Sequence, residues 1–131
     1  MSAPLFHMIA GGPTPVAPFS HAVECDGWVF VTGQMPIDQA DESAPLAPDI
    51  ETQTRVVFAN LITVLRGLGL DLSHVVCARC FLTRFEDEYA PFNRVYASYF
   101  PEDRRPARTC VGVTALARGA RVEIDFVARR P

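Results

Sequence analysis

Apolar residues recur at helical spacing in two segments of the chain. The first runs from about Asp49 to Gly67, and its positions three and four residues apart form a continuous apolar stripe: Val57, Leu61, Val64, Leu65 and Leu68. The second, Glu86 to Phe100, is shorter and carries aromatic residues along one side: Tyr89, Phe92, Tyr96, Tyr99 and Phe100. Both patterns predict helices that face a core, and we interpret the aromatic side as core packing rather than a ligand surface.

Apolar runs and strict alternation predict strands around these helices. His21 to Cys25 and Trp28 to Thr32 flank Asp26-Gly27, a pair that tolerates the positive φ of a type I′ turn and so predicts a hairpin. Further strands are expected over residues 75–83, 107–113 and 121–128, the last with clean alternation. Glycine and proline mark residues 1–18 as a lead-in segment with a short strand near 5–9, and residues 35–50 as an exposed loop.

The order of these elements favours one α+β domain over residues 1–131, with a mostly antiparallel sheet and two helices packed on one face. A loop centred near Arg118-Gly119 is expected to pair the last strand antiparallel with residues 107–113. On this arrangement the uncovered face of the sheet carries charged and apolar residues together: Arg108, Cys110, Glu123, Asp125 and Phe30. A mixed surface of this kind predicts subunit contact, with pockets at its boundary.

Composition narrows the classes of function. The chain of 131 residues has a net charge of −3, and all twelve of its basic residues are arginine. Nucleic-acid binders usually carry a net-basic face, so we do not expect nucleic acid as a partner. No apolar run reaches the roughly 20 residues of a membrane span, and no signal peptide is recognisable, so the expected compartment is the cytoplasm.

The four cysteines do not form a metal-binding pattern. A structural zinc site normally needs two close ligand pairs, whereas the sequence offers Cys77 and Cys80 as one pair, with Cys25 and Cys110 apart. Cys77 and Cys80 lie three apart on a predicted strand and should therefore face opposite ways. We expect reduced, partly buried thiols and no metal site.

The segment Arg105 to Val111 is the first candidate for chemistry. On a strand, Arg108, Cys110 and Gly112 share one face, which sets a guanidinium beside a thiol with open space next to them. Arginine holds a carboxylate by two parallel hydrogen bonds that also fix its orientation. A cysteine nucleophile would need a base partner, and the spacing of the three histidines singles none of them out.

Five segments in order resemble one known family. They are Ala17-Pro18-Phe19-Ser20-His21-Ala22-Val23, Val31-Thr32-Gly33-Gln34, Phe92-Asn93-Arg94-Val95-Tyr96, Pro106-Ala107-Arg108-Thr109-Cys110-Val111 and Val122-Glu123-Ile124-Asp125. Over about residues 17–129 the chain resembles the YjgF/RidA family of reactive-intermediate deaminases, whose relatives also carry the label endoribonuclease L-PSP. The resemblance implies a chorismate-mutase-like α+β fold and a homotrimer with three clefts between subunits.

The resemblance also implies an activity and a site. Family members hydrolyse enamines and imines such as 2-aminoacrylate to 2-keto acids and ammonia, with no cofactor or metal. Arg108 stands at the position that binds the substrate carboxylate, and Glu123 at the one that positions or activates water, a role natural for a carboxylate. Cys110 is included with these candidate catalytic residues as a wall of the pocket. The remaining implied substrate-binding residues are Thr32, Gly33, Asn93 and Phe19.

One residue departs from the family pattern, because the family often has tyrosine where this chain has Phe19. The lost hydroxyl allows for a larger or more apolar substrate, including an amino-muconate-like ring-cleavage product. Two alternatives to the deaminase remain open. One is an endoribonuclease or translation inhibitor of the L-PSP type, and the other is a non-catalytic small-ligand-binding or chaperone-like trimer.

Overall fold

The strands flanking Asp26-Gly27 form the predicted hairpin in the computed structural model, which describes residues 2–131. Strand β2 (Ala22–Cys25) pairs antiparallel with β3 (Trp28–Gln34), and the turn residues have φ of 49° and 83°. Two successive positive φ values are what a type I′ turn requires. The lead-in segment supplies β1 (Leu5–His7), which pairs with the free edge of β2.

Both predicted helices are present. Helix α1 (Ile50–Gly67) begins after Asp49, whose carboxylate accepts a hydrogen bond from the Thr52 N–H at 2.8 Å. Helix α2 (Phe85–Ala97) ends three residues before the predicted limit, and the aromatic side continues beyond it to Phe100. Phe58 of α1 lies among these rings and stacks on Tyr99 at 3.9 Å between centroids. The predicted core packing of the aromatic side is confirmed, but the expectation that it is not a ligand surface holds only in part, because Tyr89 and Tyr96 also contact the Arg108 guanidinium.

The predicted pairing of the last two strands is wrong. The sheet order is β1-β2-β3-β6-β4-β5, with β4 (Val75–Leu82), β5 (Ala107–Gly112) and β6 (Val122–Arg129). Strand β6 pairs antiparallel with both β3 and β4, whereas β5 pairs parallel with β4 at the sheet edge. The alternate residues of β6 are all apolar and fully buried. The most apolar surface is removed from water when β6 lies in the middle of the sheet, under α1.

This order separates residues that the sequence placed on one face. Ala78 of β4 is buried beneath the helices and pairs with Arg108, so Arg108 and Cys110 lie on the helix-covered face. Phe81 pairs with Glu123 on the opposite face. The expectation that Arg108 and Cys110 share the uncovered face with Glu123 and Asp125 is therefore wrong. Cross-strand neighbours share a face of the sheet. In the expected β5–β6 hairpin Arg108 would have shared a face with Glu123, but the observed parallel pairing with β4 puts Arg108 on the opposite face.

The face of the sheet away from the helices, called the open face below, mixes apolar and charged side chains. Phe30 is 51% exposed and Trp28 45% exposed, while Arg79 and Asp125 form an ion pair at 2.7 Å between them. Phe6 lies beside them on β1 at 70% exposed. Within residues 2–131 neither helix has the length and apolar character needed to cross a membrane.

Candidate active site

A pocket of about 250 Å³ opens beside the first residues of strand β6, and we call it the glutamate pocket. Glu123 lines it together with three of the predicted substrate-binding residues, Phe19, Thr32 and Gly33. Much of the remaining wall is apolar and comes from two segments read as lead-in and exposed loop: Pro13, Pro15, Val16, Met35 and Ile37. The loop over residues 35–50 therefore helps to shape a pocket rather than lying free in solvent.

Glycine at position 33 lets the Glu123 carboxylate come close to the backbone of β3. A Cβ atom at Gly33 would lie 2.5 Å from Glu123 Oε2, a separation that real Cβ atoms do not show. Strand β3 is irregular here, because its pairing with β6 shifts register between Val31 and Gln34. The shift and the missing side chain together create the space that the carboxylate occupies.

Glu123 is a carboxylate without a hydrogen-bond donor within the described part of the chain. Burial raises the pKa of Glu123 above its ordinary value, and the nearby Asp125 carboxylate raises it further. Desolvation disfavours the charged form and a second negative charge does the same, so both effects bring this group closer to the range of a useful general base.

Thr32 and Phe19 line the glutamate pocket together with Glu123. The Thr32 hydroxyl donates to the Ser20 backbone carbonyl, and the Thr32 N–H donates to the carbonyl of His21 at 3.0 Å. These bonds hold the segment that follows Phe19 against β3. The Thr32 hydroxyl is therefore engaged in building the pocket, and the Phe19 ring provides apolar surface where a tyrosine would have offered a hydroxyl.

A second pocket, the arginine pocket, lies at the β5 edge of the sheet and has a volume of about 310 Å³. Its walls come from α2 and from the chain entering β5: Asn93, Tyr96, Ala97, Arg105, Pro106 and Arg108. Arg108 Nη1 donates to Asn93 Oδ1 at 2.8 Å, and Nη2 donates to the Tyr89 hydroxyl at 3.2 Å. The guanidinium carbon also lies 4.8 Å from the centre of the Tyr96 ring, a cation–π contact.

Arg108 is therefore oriented entirely by uncharged groups. Within residues 2–131 no carboxylate forms an ion pair with it, whereas Arg79, Arg121 and Arg130 each have an acidic partner. Such a guanidinium keeps its positive charge available for a bound anion. Other arginines of the described chain also lack an acidic partner, so the feature that raises Arg108 above an ordinary surface charge is the fixed orientation that Asn93, Tyr89 and Tyr96 give its guanidinium.

Tyr96 adds a polar group that was not among the predicted site residues. Its ring lines the arginine pocket, and its buried hydroxyl has no hydrogen-bond partner within the described residues. Burial raises the pKa of Tyr96, so the hydroxyl keeps its proton and remains a donor. Tyr89, Asn93 and Tyr96 follow one another at steps of four and three on α2, and this helical spacing was the available signal for their shared face.

Cys110 lies two residues beyond Arg108 and is half-buried. It has a cysteine neighbour that the sequence did not predict. Cys110 of β5 pairs directly with Cys80 of β4, so the two thiols lie side by side on one face of the sheet. Cys77, three residues before Cys80, lies on the other face, as the sequence predicted. Among residues 2–131 no three histidine, cysteine, aspartate or glutamate side chains are grouped so as to hold a metal ion.

The predicted site residues thus fall into two groups within one chain. Phe19, Thr32, Gly33 and Glu123 meet in the glutamate pocket. Arg108 and Asn93 meet in the arginine pocket, with Cys110 further along the same strand face. Because the sheet separates Glu123 from Arg108, one chain alone does not present both groups to one small molecule.

Comparison with known proteins identifies the family. The sequence profile described as Endoribonuclease L-PSP matches residues 10–130, nearly the whole chain. The chain belongs to the YjgF/RidA family. Among relatives of this family, protein DfrA of Myxococcus xanthus is 42% identical over 118 residues, 88% of each chain. The 3-aminoacrylate deaminase RutC of Acinetobacter baylyi is 38% identical over 118 residues, covering 90% of this chain and 91% of RutC.

The fold agrees with solved structures of the YjgF/RidA family. The crystal structure of the yeast protein YEO7 superposes with a TM-score of 0.89 at 29% identity, covering 98% of this chain and 100% of the yeast chain. The expected α+β fold, a mostly antiparallel sheet with two helices on one face, is confirmed, and the parallel β4–β5 pair makes the sheet a mixed one. The family includes deaminases, and RutC, named above, is one of them.

Proposed function

We propose that this protein hydrolyses the enamines and imines of small 2-keto acids, releasing the keto acid and ammonia. The observation that carries the proposal is Arg108, a guanidinium held by Asn93, Tyr89 and Tyr96 with its charge unpaired within residues 2–131. A ligand carboxylate completes such a site through two parallel hydrogen bonds. The name of RutC, a 3-aminoacrylate deaminase, supports a small unsaturated amino acid as the substrate.

In the proposed reaction, Arg108 binds the carboxylate and so fixes the position of the imine carbon. An enamine first takes a proton on its β-carbon and becomes the imine. Glu123 then accepts a proton from a water molecule as the water oxygen bonds to the imine carbon, and that proton passes to the nitrogen. The resulting carbinolamine then transfers its hydroxyl proton to the nitrogen, directly or through Glu123. The C–N bond breaks, ammonia leaves, and the oxygen becomes the ketone of the keto acid. The raised pKa of Glu123 suits a group that both takes and returns a proton.

The site is proposed to form between subunits of a homotrimer. Arg108 and Glu123 lie on opposite faces of one sheet, so a small substrate meets both only where two copies of the chain come together. The open face supplies a surface for that contact, with Phe30 and Trp28 about half exposed beside the Arg79–Asp125 pair. Burial of exposed aromatic side chains between copies is a common source of association energy.

The glutamate pocket favours substrates with an apolar side chain. Its wall beside Phe19 is formed largely by proline and aliphatic residues, and the Thr32 hydroxyl there is already bonded to Ser20. An imino acid with an apolar side chain loses few hydrogen bonds to water on entering such a wall. We therefore expect turnover of imines larger than that of 2-aminoacrylate.

The test is a coupled assay in which a serine or threonine dehydratase generates the imine and keto-acid release is followed. We expect Arg108→Lys to lower kcat/KM about 10- to 100-fold, because a charged hydrogen bond contributes about 1.5–3 kcal/mol and lysine does not reproduce the two-point contact. Arg104→Lys, an exposed change four residues away, serves as the control and should retain activity. Full activity in Arg108→Lys would contradict the proposed role.

RNA cleavage is the outcome that would favour the other activity in the family's description. The net charge of −3 and the absence of lysine offer little to attract a polyanion. Cleavage of RNA by rigorously purified protein, lost in Arg108→Lys and retained in Arg104→Lys, would replace the deaminase proposal. Binding of 2-keto acids without any acceleration of imine hydrolysis would instead indicate a non-catalytic ligand-binding protein.

A further inference from the structure

Two cysteines lie side by side at the edge of the sheet, and the proposed deaminase chemistry uses this pairing in no step. Cys80 of β4 and Cys110 of β5 are direct partners in the parallel β4–β5 register. Both side chains lie on the helix-covered face of the sheet. Arg108 lies on the same face, and its partner in β4 is Ala78. All four cysteines of the chain are free thiols in this structure.

The strand pairing puts the two cysteines within the range of Cα separations that disulfides span. Neighbouring strands are about 4.7–4.9 Å apart. Partnered residues point their side chains in parallel, which leaves the Cβ atoms slightly farther apart than in most disulfides. Strand β5 is an edge strand with β4 as its sole strand partner in the described chain, so it is free to move the short distance required.

The two thiols differ in exposure and in acidity. Cys110 is half-buried and beside the arginine pocket, whereas Cys80 is 1% exposed. The neighbouring Cys80 thiol lowers the pKa of the Cys110 thiol, burial acts against this, and the Arg108 guanidinium lowers it further. The neighbouring Cys110 and burial raise the pKa of Cys80. Because Cys110 is also the more exposed thiol, it is the one that ionises and reacts, and Cys80 is the protonated thiol behind it.

We propose that Cys110 and Cys80 form a reversible disulfide when the protein meets hydrogen peroxide. The Cys110 thiolate attacks one peroxide oxygen, the O–O bond breaks, and with one proton taken up a sulfenic acid and water result. The Cys80 sulfur then attacks the sulfenic sulfur and the S–S bond forms. The S–O bond breaks, and the sulfenic hydroxyl takes the Cys80 proton and leaves as water. Overall, two thiols are oxidised to a disulfide and one peroxide is reduced to two waters.

The bond should be readily reduced and should affect the site. Disulfides that depart from relaxed geometry store strain and are more easily reduced, which is the behaviour of regulatory rather than structural bonds. Closing it draws β5 toward β4 two residues from Arg108 and shifts the guanidinium relative to Asn93 and Tyr89. We expect the oxidised protein to have a lower deaminase kcat/KM that a thiol reductant restores, a consequence that rests on the proposed function.

The experiment uses a Cys25→Ser/Cys77→Ser variant, which retains only the proposed pair, and reads the intact mass and the number of alkylatable thiols after peroxide. We expect a mass lower by two hydrogens, no remaining alkylatable thiol, a disulfide-linked peptide joining the two strands, and full reversal by reductant. In Cys80→Val, a change that preserves apolar packing, peroxide should leave a Cys110 sulfenic acid that dimedone traps. In Cys110→Ser, Cys80 should stay reduced.

Several outcomes would overturn the proposal. They are two thiols that remain alkylatable in the double variant, oxidation that proceeds to sulfinic or sulfonic acid without a disulfide, and wild-type disulfides that join other cysteines. The mass measurement needs no substrate, so it stands even if the protein shows no deaminase activity. A disulfide that forms with kcat/KM unchanged would refute the effect on the site and leave the redox pair intact.

Discussion

At the scale of single residues, Glu123 combines burial, a like-charged neighbour and no donor within residues 2–131. Its raised pKa means that the folded protein binds a proton more readily than the unfolded chain does. Stability from this group is therefore present at low pH and is lost as the pH rises through the folded-state pKa. At neutral pH the ionised carboxylate opposes folding, and this cost falls at the position where the proposed reaction needs a base.

We predict that Glu123→Gln separates stability from activity. The thermal midpoint should be equal to or higher than that of the wild type at pH 7, because the penalty of a buried charge is removed, and the difference should shrink toward acid pH. Keto-acid release should fall about 100-fold or more, the usual contribution of a general acid/base group. Parallel melting curves and coupled assays across pH check both predictions. Full activity of the variant would contradict the assignment, and so would a stability difference from the wild type that is less favourable at pH 7 than at acid pH.

Gly33 offers a second prediction at this scale. An alanine Cβ would meet Glu123 Oε2, the far end of a flexible side chain, so Gly33→Ala should displace the carboxylate at little cost in stability, about 1 kcal/mol or less by urea unfolding. Activity should fall nearly as far as in Glu123→Gln. The double variant Gly33→Ala/Glu123→Gln should be no less active than Glu123→Gln alone, because both changes act on one group. Additive losses would show that Gly33 acts independently of Glu123.

At the scale of elements, α2 brings one face to the core and another to Arg108. Its orientation depends on its first turns, where Glu88, buried in α2, forms an ion pair with Arg121, the residue just before β6. Arg121 also donates to the Pro48 carbonyl, and its backbone N–H donates to Gln53 Oε1 of α1 at 3.0 Å. This one residue therefore joins both helices to the central strand.

We predict that Glu88→Gln destabilises the protein by about 3–5 kcal/mol, because it leaves a largely buried guanidinium without its counter-charge. Urea unfolding measures the loss. Glu86→Gln, an exposed change on the same turn, is the matched control and should stay within about 0.5 kcal/mol of the wild type. Equal small effects for both variants would mean that the pair contributes no more than a surface contact.

At the scale of the whole molecule, the separation of Arg108 and Glu123 by the sheet makes assembly part of the proposed chemistry. Alone, Arg108→Lys is expected to retain at most about a tenth of wild-type kcat/KM and Glu123→Gln at most about a hundredth. If each site takes Arg108 from one copy and Glu123 from the next, dissociating and mixing the two variants in equal amounts should restore about a quarter of wild-type activity, since random reassembly gives that share of intact sites. Mixing without dissociation is the control, and no recovery after verified exchange of subunits would refute a shared site.

The sequence by itself determined the elements and most of the candidate chemistry. Helical spacing, strict alternation and the Asp26-Gly27 pair are local signals, and each gave an element within a few residues of its observed limits. Ordered short motifs identified the family and, with it, the positions of Arg108, Asn93 and Glu123. These signals depend on neighbours along the chain, so they are readable without knowledge of the fold.

Only the tertiary structure decided which strands are partners, and thereby which residues share a face. Alternation on β6 showed one apolar face but not that β3 and β4 would flank it, because that choice depends on burial beneath α1. The same long-range pairing brought Cys80 beside Cys110 and placed Arg108 and Glu123 on opposite faces. Sequence separation hides such contacts, since a one-position change of register or a change of partner reverses the face of every residue in a strand.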